Sequence, residues 1–436
     1  MTAKERVHLG FVALAFLGTQ SALGGAVTAI LLVAVIGALL LSKIAPFMGR
    51  MRYFWPLLAY PLLQVLSTVW SLNQPVTIRY SVQLLATGAF GAYCGFFLTE
   101  RKSLWAIFTS SALAVIISIA SRHKGESAEG DVLVGIAGSK DAMSFLAQLA
   151  AQSAMGIAML PRLNFKWRVL AGLIFLPAAY VSLSVHAATG VITLILGAII
   201  FAGLLVLALT PFMFRIITVV CLLLLGVMAV IFHHELADLA SDFMFRVLHK
   251  DATLTGRTVL WRFAEGFISQ RPVLGRGYKE IWLGTSVDTE GLLRWAGLTD
   301  GRGFFFHETY LDAGVDSGLI GVAVLITTFV AILAGIVWKF VAQPSVERAF
   351  FLTMFLLLMV RSFGETLMQP FSPYCAIVFA TGVYAFQGGR RKQSDAGIRI
   401  KPGRFRRANT RQWAPIVPAP QGGSDGLPHP GVDSIA

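Results

Sequence analysis

The chain has 436 residues, of which 56% are hydrophobic and 14% are charged, and its mean hydropathy is +0.70. Soluble globular proteins carry about 25% charged residues, so this composition excludes an ordinary soluble enzyme, a disordered chain and a small disulfide-linked domain. It predicts an all-α, polytopic integral membrane protein. The net charge of +13 does not indicate nucleic-acid binding, because basic residues in the loops of a membrane protein report its topology.

Apolar stretches of about 20 residues predict about twelve transmembrane helices. The first stretch, 9–41, is too long for one helix, and Gly24-Gly25 near its middle predicts two spans joined by a tight turn. Two charged residues, Arg361 and Glu365, crowd the ends of the last two predicted spans. The ten further predicted spans lie near 53–71, 81–98, 103–120, 143–160, 169–185, 190–208, 216–232, 317–338, 349–363 and 373–387.

The distribution of lysine and arginine predicts that both termini are cytoplasmic. Outside one long loop and the C-terminal tail, thirteen basic residues then lie on the cytoplasmic side and five on the opposite side. The long loop, about 233–306, is predicted to carry short helices on the outer side of the membrane. The predicted domains are a membrane-embedded domain, 1–388, and a disordered basic cytoplasmic tail, 389–436, which contains six prolines and no apolar periodicity.

The three cysteines do not indicate a disulfide framework or a metal site. Cys94, Cys221 and Cys375 each lie in an apolar run, which is typical of small buried side chains. No cluster of metal-ligand residues is found in the sequence, so we expect no metal and no cofactor.

The long loop contains one segment with helical periodicity, Thr255 to Ser269. Val259, Phe263 and Phe267 recur on one face, and Arg257, Trp261 and Glu265 recur on another with the same spacing. The helix is predicted to end before Pro272, and 271–277 then forms a turn with two flexible glycines. Two interpretations stay open: Arg257 and Arg262 serve a site, or they extend to the membrane surface and pair with Glu265.

A second polar segment, 304–318, opens the helix of the following span. Glu308, Asp312 and Asp316 recur at every fourth position and form an acidic stripe, and His307 lies on an adjacent face. The segment is not a zinc-protease motif, because Leu311 stands where a second histidine is needed. Helix-dipole matching explains an acid in the first turn, such as Glu308, but not Asp316.

These segments resemble the O-antigen ligase/polymerase family of bacterial envelope glycan enzymes, which includes the lipopolysaccharide O-antigen ligases and the Wzy-type polymerases of O-antigen and exopolysaccharide. The first match is 307–311 followed by 318–321. It is similar to the family pattern of a histidine, then a leucine, then an acid and a Gly-Leu-Leu-Gly element. The second is 256–257 with Trp261, Pro272 and 275–277, and the third is 138–141 before a span. The resemblance covers about residues 1–388.

Two positions depart from the family pattern. Glu308 stands where asparagine or serine is commoner, and Ala188 stands where the ligases have an arginine that is linked to holding diphosphate. Arg302 and His186 are candidates for the charge that is missing at Ala188.

The resemblance implies inverting transfer of an undecaprenyl-diphosphate-linked glycan to an acceptor hydroxyl at the periplasmic face of the bacterial inner membrane. A histidine, whose ordinary pKa is about 6.5, can take the proton of that hydroxyl, so His307 is the expected general base, oriented by Glu308 or Asp312. Arginines bind diphosphate in a bidentate manner. The expected diphosphate-binding residues are Arg257, Lys140, Arg302 and Arg262.

An O-antigen ligase is the expected function, with a polymerase and a transporter as the alternatives. An O-antigen ligase transfers finished glycan to lipid A–core, and the twelve predicted spans favour this function. A polymerase joins repeat units on the lipid carrier, and the alanine at position 188 in place of an arginine favours this alternative. Either enzyme would contact membrane lipid, and chain-length or export proteins are possible partners. A transporter of lipid-linked glycan is the second alternative, but it would need charges near the membrane midplane, which the predicted spans lack.

Overall fold

The computed structural model of this chain describes residues 2–20, 25–125, 131–185, 188–231, 257–295, 297, 301 and 303–388. Within these ranges the chain is mostly helical, which confirms the predicted helical class. One pair of two-residue antiparallel strands, β1 (Lys124–Gly125) and β2 (Val132–Leu133), lies between helices. The predicted disordered tail, Arg302 and His186 fall outside the described residues.

Sixteen α-helices occur in the described part of the chain. In chain order they are α1 (Ala3–Thr19), α2 (Gly25–Leu41), α3 (Ile44–Phe54), α4 (Ala59–Leu66), α5 (Gln74–Phe97), α6 (Glu100–Ser121), α7 (Lys140–Ala158), α8 (Phe165–Ser184), α9 (Ala188–Ala208), α10 (Phe212–Ile231), α11 (Arg257–Gln270), α12 (Glu280–Leu283), α13 (Val287–Trp295), α14 (Thr309–Ala342), α15 (Val346–Arg361) and α16 (Pro373–Phe386).

Four of the described helices are long and apolar enough to cross a membrane: α6, α8, α9 from Thr189 onwards, and α14. A fifth span is possible if α2 and the segment from α3 to Val69, which meet at 88°, are one bent span. The prediction of twelve spans is therefore not confirmed, although a helix lies at each predicted position. Length is one reason: α15 has 16 residues and α16 has 14, so they measure about 21–24 Å, less than the hydrocarbon core of about 30 Å. Helices α5, of 24 residues, and α7, of 19, are long enough but not among the helices that are also sufficiently apolar.

The outward faces of α9 and α10 are apolar. Leu222, Leu223 and Leu225 of α10 are each at least 60% exposed. A continuous apolar face of this kind is typical of a surface that meets lipid. The most apolar helices therefore form the rim of the helical assembly.

Helix α14 is broken at 317–318, where the backbone leaves helical geometry. The loop that follows α11 docks into this break. The amide of Leu319 donates to the carbonyl of Pro272 at 2.7 Å, and the amide of Gly277 donates to the carbonyl of Asp316 at 2.9 Å. The loop therefore satisfies backbone groups that the break leaves without a helical partner, as a membrane-embedded helix requires.

Glycines make this docking possible. Gly318 has a φ of +65° and Gly275 a φ of +68°, a region that disfavours other residues. A Cβ at Gly318 would collide with the carbonyl group of Val273, and one at Gly275 would lie 2.5 Å from the amide nitrogen of Ser317. The predicted glycine turn at 271–277 is confirmed, and its partner is the break in α14.

Candidate functional site

The site begins at the residues that precede α14. Glu308 is the N-cap of the helix, and its carboxylate accepts a hydrogen bond from the amide of Leu311. His307, immediately before the cap, has a φ of +56°. Because this conformation costs free energy in a residue with a side chain, it is found mainly where surrounding contacts fix it. The imidazole of His307 also contacts the ring of Phe305, with 4.6 Å between centroids.

His307 is paired with a residue that the sequence analysis did not assign to the site. Its Nδ1 lies 3.4 Å from Oε2 of Glu365, in the turn after α15. The carboxylate of Glu365 is 6% exposed and the imidazole is 22% exposed. Nδ1 is thus occupied by the contact with Glu365. The other ring nitrogen, Nε2, is the one that a substrate could contact.

Arg257 contacts the other oxygen of the same carboxylate. Its Nη2 lies 3.3 Å from Oε1 of Glu365, and its Nη1 donates to the carbonyl of Gly364 at 2.7 Å. Arg257 thus pairs with Glu365, not with Glu265, which is exposed. One turn further along α11, the indole of Trp261 donates to the carbonyl of Phe306 at 3.0 Å. The predicted face of α11 that contains Arg257 and Trp261 therefore meets both segments of the site.

The turn that contains Glu365 is fixed against the start of α14. The amide of Thr309 donates to the carbonyl of Ser362 at 2.9 Å, and its hydroxyl donates to the carbonyl of Glu365 at 2.6 Å. The hydroxyl of Thr366 donates to the carboxylate of Asp312. Three contacts therefore keep Glu365 beside His307 without help from a ligand.

The acidic stripe on α14 joins three segments of backbone. Besides the cap at Glu308, Asp312 accepts from the amide of Phe306 at 3.2 Å, and Asp316 accepts from the amide of Lys279 at 3.0 Å. Burial raises the pKa of Glu308, and the hydrogen bonds from backbone amides oppose that increase. These carboxylates position the loops around the site.

A cavity of about 680 Å³ opens beside the imidazole of His307. Its polar wall includes His307, Glu365, Ser139 and Asp141, and its apolar wall includes Leu32 of α2 and Leu146 of α7. The hydroxyl of Ser139 caps α7 by accepting from the amide of Ala142 at 3.2 Å. The start of α7, the start of α14 and the turn after α15 therefore meet at one space.

The comparisons with known proteins agree with this arrangement. A family model described as O-antigen ligase matches residues 184–326. The chain is 26% identical over 387 residues to the exopolysaccharide production protein ExoQ of Rhizobium meliloti (strain 1021), in an alignment that covers 87% of this chain and 85% of that protein. Residues 184–326 are thus similar to the O-antigen ligases, and most of the chain is similar to an exopolysaccharide production protein. The resemblance predicted from sequence is confirmed.

The segment that matches the O-antigen ligase family contains Arg257, His307 and Asp312, but it ends before Glu365. The sequence feature that could have identified Glu365 as a site residue is its charge at the end of an apolar span. Arg361 has the same feature. Neither residue belongs to a local motif with His307. Their proximity is a result of the tertiary structure.

The other predicted site residues have different positions. Lys140 begins α7 and is half-buried between two residues that line the cavity, whereas Arg262 is exposed on α11. Ala188 begins α9, and its side chain is outside the described part of the chain. Among the described residues, no group of three or more His, Cys, Asp and Glu side chains is arranged to hold a metal, and the expectation that none is needed stays a prediction.

Proposed function

We propose that this protein transfers a glycan from undecaprenyl diphosphate to the hydroxyl of an acceptor sugar, with inversion at the anomeric carbon. The observation that supports this most directly is the pairing of His307 with Glu365 at the wall of a cavity of about 680 Å³. In the proposed step, the acceptor oxygen bonds to the anomeric carbon as the bond to the diphosphate oxygen breaks. Nε2 of His307 takes the proton of the hydroxyl, and undecaprenyl diphosphate leaves.

In this proposal Glu365 replaces Glu308 and Asp312 as the group that orients the base. A carboxylate at Nδ1 fixes the tautomer in which Nε2 can accept a proton, and it stabilises the imidazolium that forms. A contact of 3.4 Å is long for a hydrogen bond, but catalytic contacts commonly shorten when substrate binds. Asp312 acts as a positioning residue, because it fixes the amide of Phe306 and the hydroxyl of Thr366.

Arg257 is proposed to contribute positive charge for the leaving diphosphate. Its contacts with Gly364 and Glu365 use two of the five N–H donors of a guanidinium. Lys140, at the start of α7, is the second proposed contact, and Arg302 and Arg262 stay proposed as basic residues that attract the anionic donor.

The membrane arrangement is part of the proposal. We propose about twelve spans, several of them short or bent, with the site and the long loop 233–306 facing the periplasm from the inner membrane. The apolar part of the cavity wall, which includes Leu32, Phe145 and Leu146, suits the polyprenyl chain of the donor. The tail, 389–436, is proposed to be a cytoplasmic extension that the reaction does not need.

The proposed acceptor is a growing exopolysaccharide repeat-unit chain. The relative that aligns with 87% of this chain is described as an exopolysaccharide production protein, and Ala188 stands where the ligases have an arginine. The alternative, transfer to lipid A–core by an O-antigen ligase, is supported by the family description at 184–326. A transporter of lipid-linked glycan is the third candidate.

The test compares a deletion strain with strains that express the wild type, His307→Gln or the control His123→Gln, whose side chain is exposed. Undecaprenyl-linked glycans are measured by mass spectrometry, and lipopolysaccharide is profiled on gels. Single repeat units on the carrier, with long polymer lost, are expected in the deletion strain and in His307→Gln.

Finished glycan on the carrier, together with uncapped lipid A–core, would instead identify a ligase. If His307→Gln restored normal products as well as His123→Gln does, the assignment of the base would be wrong. Unchanged carrier-linked glycans in the deletion strain would exclude the enzyme function, and a transport assay would then be the appropriate measurement.

A further inference from the structure

Arg361, at the end of α15, is a cation inside the helical assembly. It is 3% exposed, and its guanidinium lies over the ring of Phe145. One hydrogen bond is made by Nη1, to Oε1 of Gln148 at 2.6 Å. Its Nε and Nη2 atoms are buried and have no hydrogen-bond partner among the described residues.

Three hydroxyls in the same part of the helical assembly are unpartnered as well. The hydroxyls of Ser144, Ser182 and Tyr374 are buried and contact no acceptor or donor in the part of the chain that the structure describes. Ser144 lies one turn before Gln148 on the same face of α7. A Cβ at Gly190, in the first turn of α9, would collide with Ser144 and lie 3.5 Å from the hydroxyl of Ser182.

This group of atoms lies directly beside the cavity of His307. Phe145 and Tyr374 both line that cavity, and their ring centroids are 4.7 Å apart. Arg361 contacts the ring of Phe145. The unpartnered groups therefore adjoin the space in which the proposed reaction occurs.

Unsatisfied polar groups in a membrane interior are costly, and a cluster of them indicates an occupant. A guanidinium, three hydroxyl donors and the N-terminal turn of α9 together favour an anion. The charged side chains that interact electrostatically with Arg361 are Glu365, Asp141 and Arg257. Two acids and two cations leave the region near neutrality, so an entering anion meets no net negative charge.

We propose that Arg361, with the hydroxyls of Ser144, Ser182 and Tyr374, binds a phosphate group of a diphosphate. This inference rests on the proposed function, in which the donor and the leaving group are diphosphates. The diphosphate reaches Arg361 when Phe145 turns aside, and the cation then holds negative charge that the reaction leaves on the departing group. Arg361 is thus a binding residue of the site, although it is outside the matched segment of the chain.

The experiment measures binding to the purified full-length protein by thermophoresis, with three probes: farnesyl diphosphate, inorganic diphosphate and farnesol. Arg361→Gln is expected to weaken binding of farnesyl diphosphate at least about tenfold, because a lost charge-assisted contact costs this much. Farnesol binding should not change. The matched control is Arg215→Gln, since Arg215 is also a buried arginine with two unpartnered nitrogens but belongs to α10, none of whose residues line the cavity.

A second variant separates binding from folding. Ser144→Ala/Ser182→Ala removes only hydroxyls that have no partner, so a purely structural role for these residues predicts unchanged binding and an unchanged melting temperature. The proposal predicts weaker binding of farnesyl diphosphate, by about threefold or more.

The outcomes distinguish the inference from the proposed function. If the wild type binds farnesyl diphosphate and folded Arg361→Gln binds it equally well, the inference is wrong and the proposed function stands. If the wild type binds no diphosphate, both are wrong. A parallel loss of inorganic diphosphate binding would identify the phosphate groups themselves as the ligand, whereas a loss confined to farnesyl diphosphate would show that the lipid is needed.

Discussion

The carboxylate of Glu365 lies 3.4 Å from Nδ1 of His307, although 58 residues separate the two in the chain. Its other oxygen is paired with Arg257, so the carboxylate is held from both sides. In our proposal this pairing gives Glu365 the role that local sequence had suggested for Glu308 or Asp312.

Glu365→Gln is expected to lower the rate of glycan transfer by about 10²-fold, with a smaller change in KM. An amide cannot carry the negative charge that stabilises the imidazolium of His307. The measurement is the initial rate with purified protein and lipid-linked donor. Glu265→Gln is the control, because Glu265 is the exposed alternative partner of Arg257; equal rates for the two variants would refute the role of Glu365.

Arg257→Lys is expected to reduce transfer about tenfold while the protein stays folded. An ammonium has no planar fork and cannot contact Glu365 and the carbonyl of Gly364 in the same geometry. Transfer rates and melting temperature are compared with those of Arg262→Lys, since Arg262 is exposed on the same helix. A larger loss of rate in the Arg262 variant would contradict the proposed site.

Gly318→Ala tests the break in α14. The substitution places a Cβ at a φ of +65° against the carbonyl group of Val273, and strain of this kind costs about 1–3 kcal/mol before any steric clash is added. A lower melting temperature and a lower transfer rate are expected, because the loop at 271–277 must shift. Gly203→Ala in α9 is the control, since a Cβ there has no neighbour within 4 Å; equal melting temperatures would show that the break tolerates a side chain.

The stability of the fold should depend on the protonation of Glu308. Burial raises the pKa of this carboxyl above its ordinary value of 4.5, so the folded state binds the proton more tightly than the unfolded state. The contribution to stability is therefore greatest below pH 4.5 and is lost as the pH rises through 4.5 toward the pKa of the folded state. Glu308→Gln, which keeps an acceptor at the N-cap, should not show this loss.

The measurement is the melting temperature of both proteins from pH 4 to pH 7. The difference between Glu308→Gln and the wild type should grow in favour of the variant as the pH rises. A difference that is constant with pH would contradict the effect of burial on this carboxyl.

The rate of glycan transfer by Glu308→Gln should remain within about threefold of the wild-type rate. The reason is that Glu308 caps α14, whereas the carboxylate that pairs with His307 belongs to Glu365.

Local sequence was sufficient for the elements that depend on near neighbours. The helix of the long loop was expected to begin at Thr255 and end at Ser269, and the structure has α11 from Arg257 to Gln270. Its buried face, however, contains Leu260, Ala264 and Phe267, whereas Phe263 is partly exposed and contacts Trp295. Periodicity locates a helix, but the elements packed against it decide which stripe is buried.

The sequence by itself determined a helical membrane protein and the turn at 271–277, and it predicted a site at His307, because composition and short spacing do not depend on contacts between distant segments. Only the tertiary structure decided that Glu365, not Glu308 or Asp312, meets His307, and that the acidic stripe holds loops. Both results depend on contacts between segments distant in sequence, which hydropathy cannot specify. The partner of a charged residue at the end of an apolar span is decided only when the helices pack and bring particular side chains within contact distance.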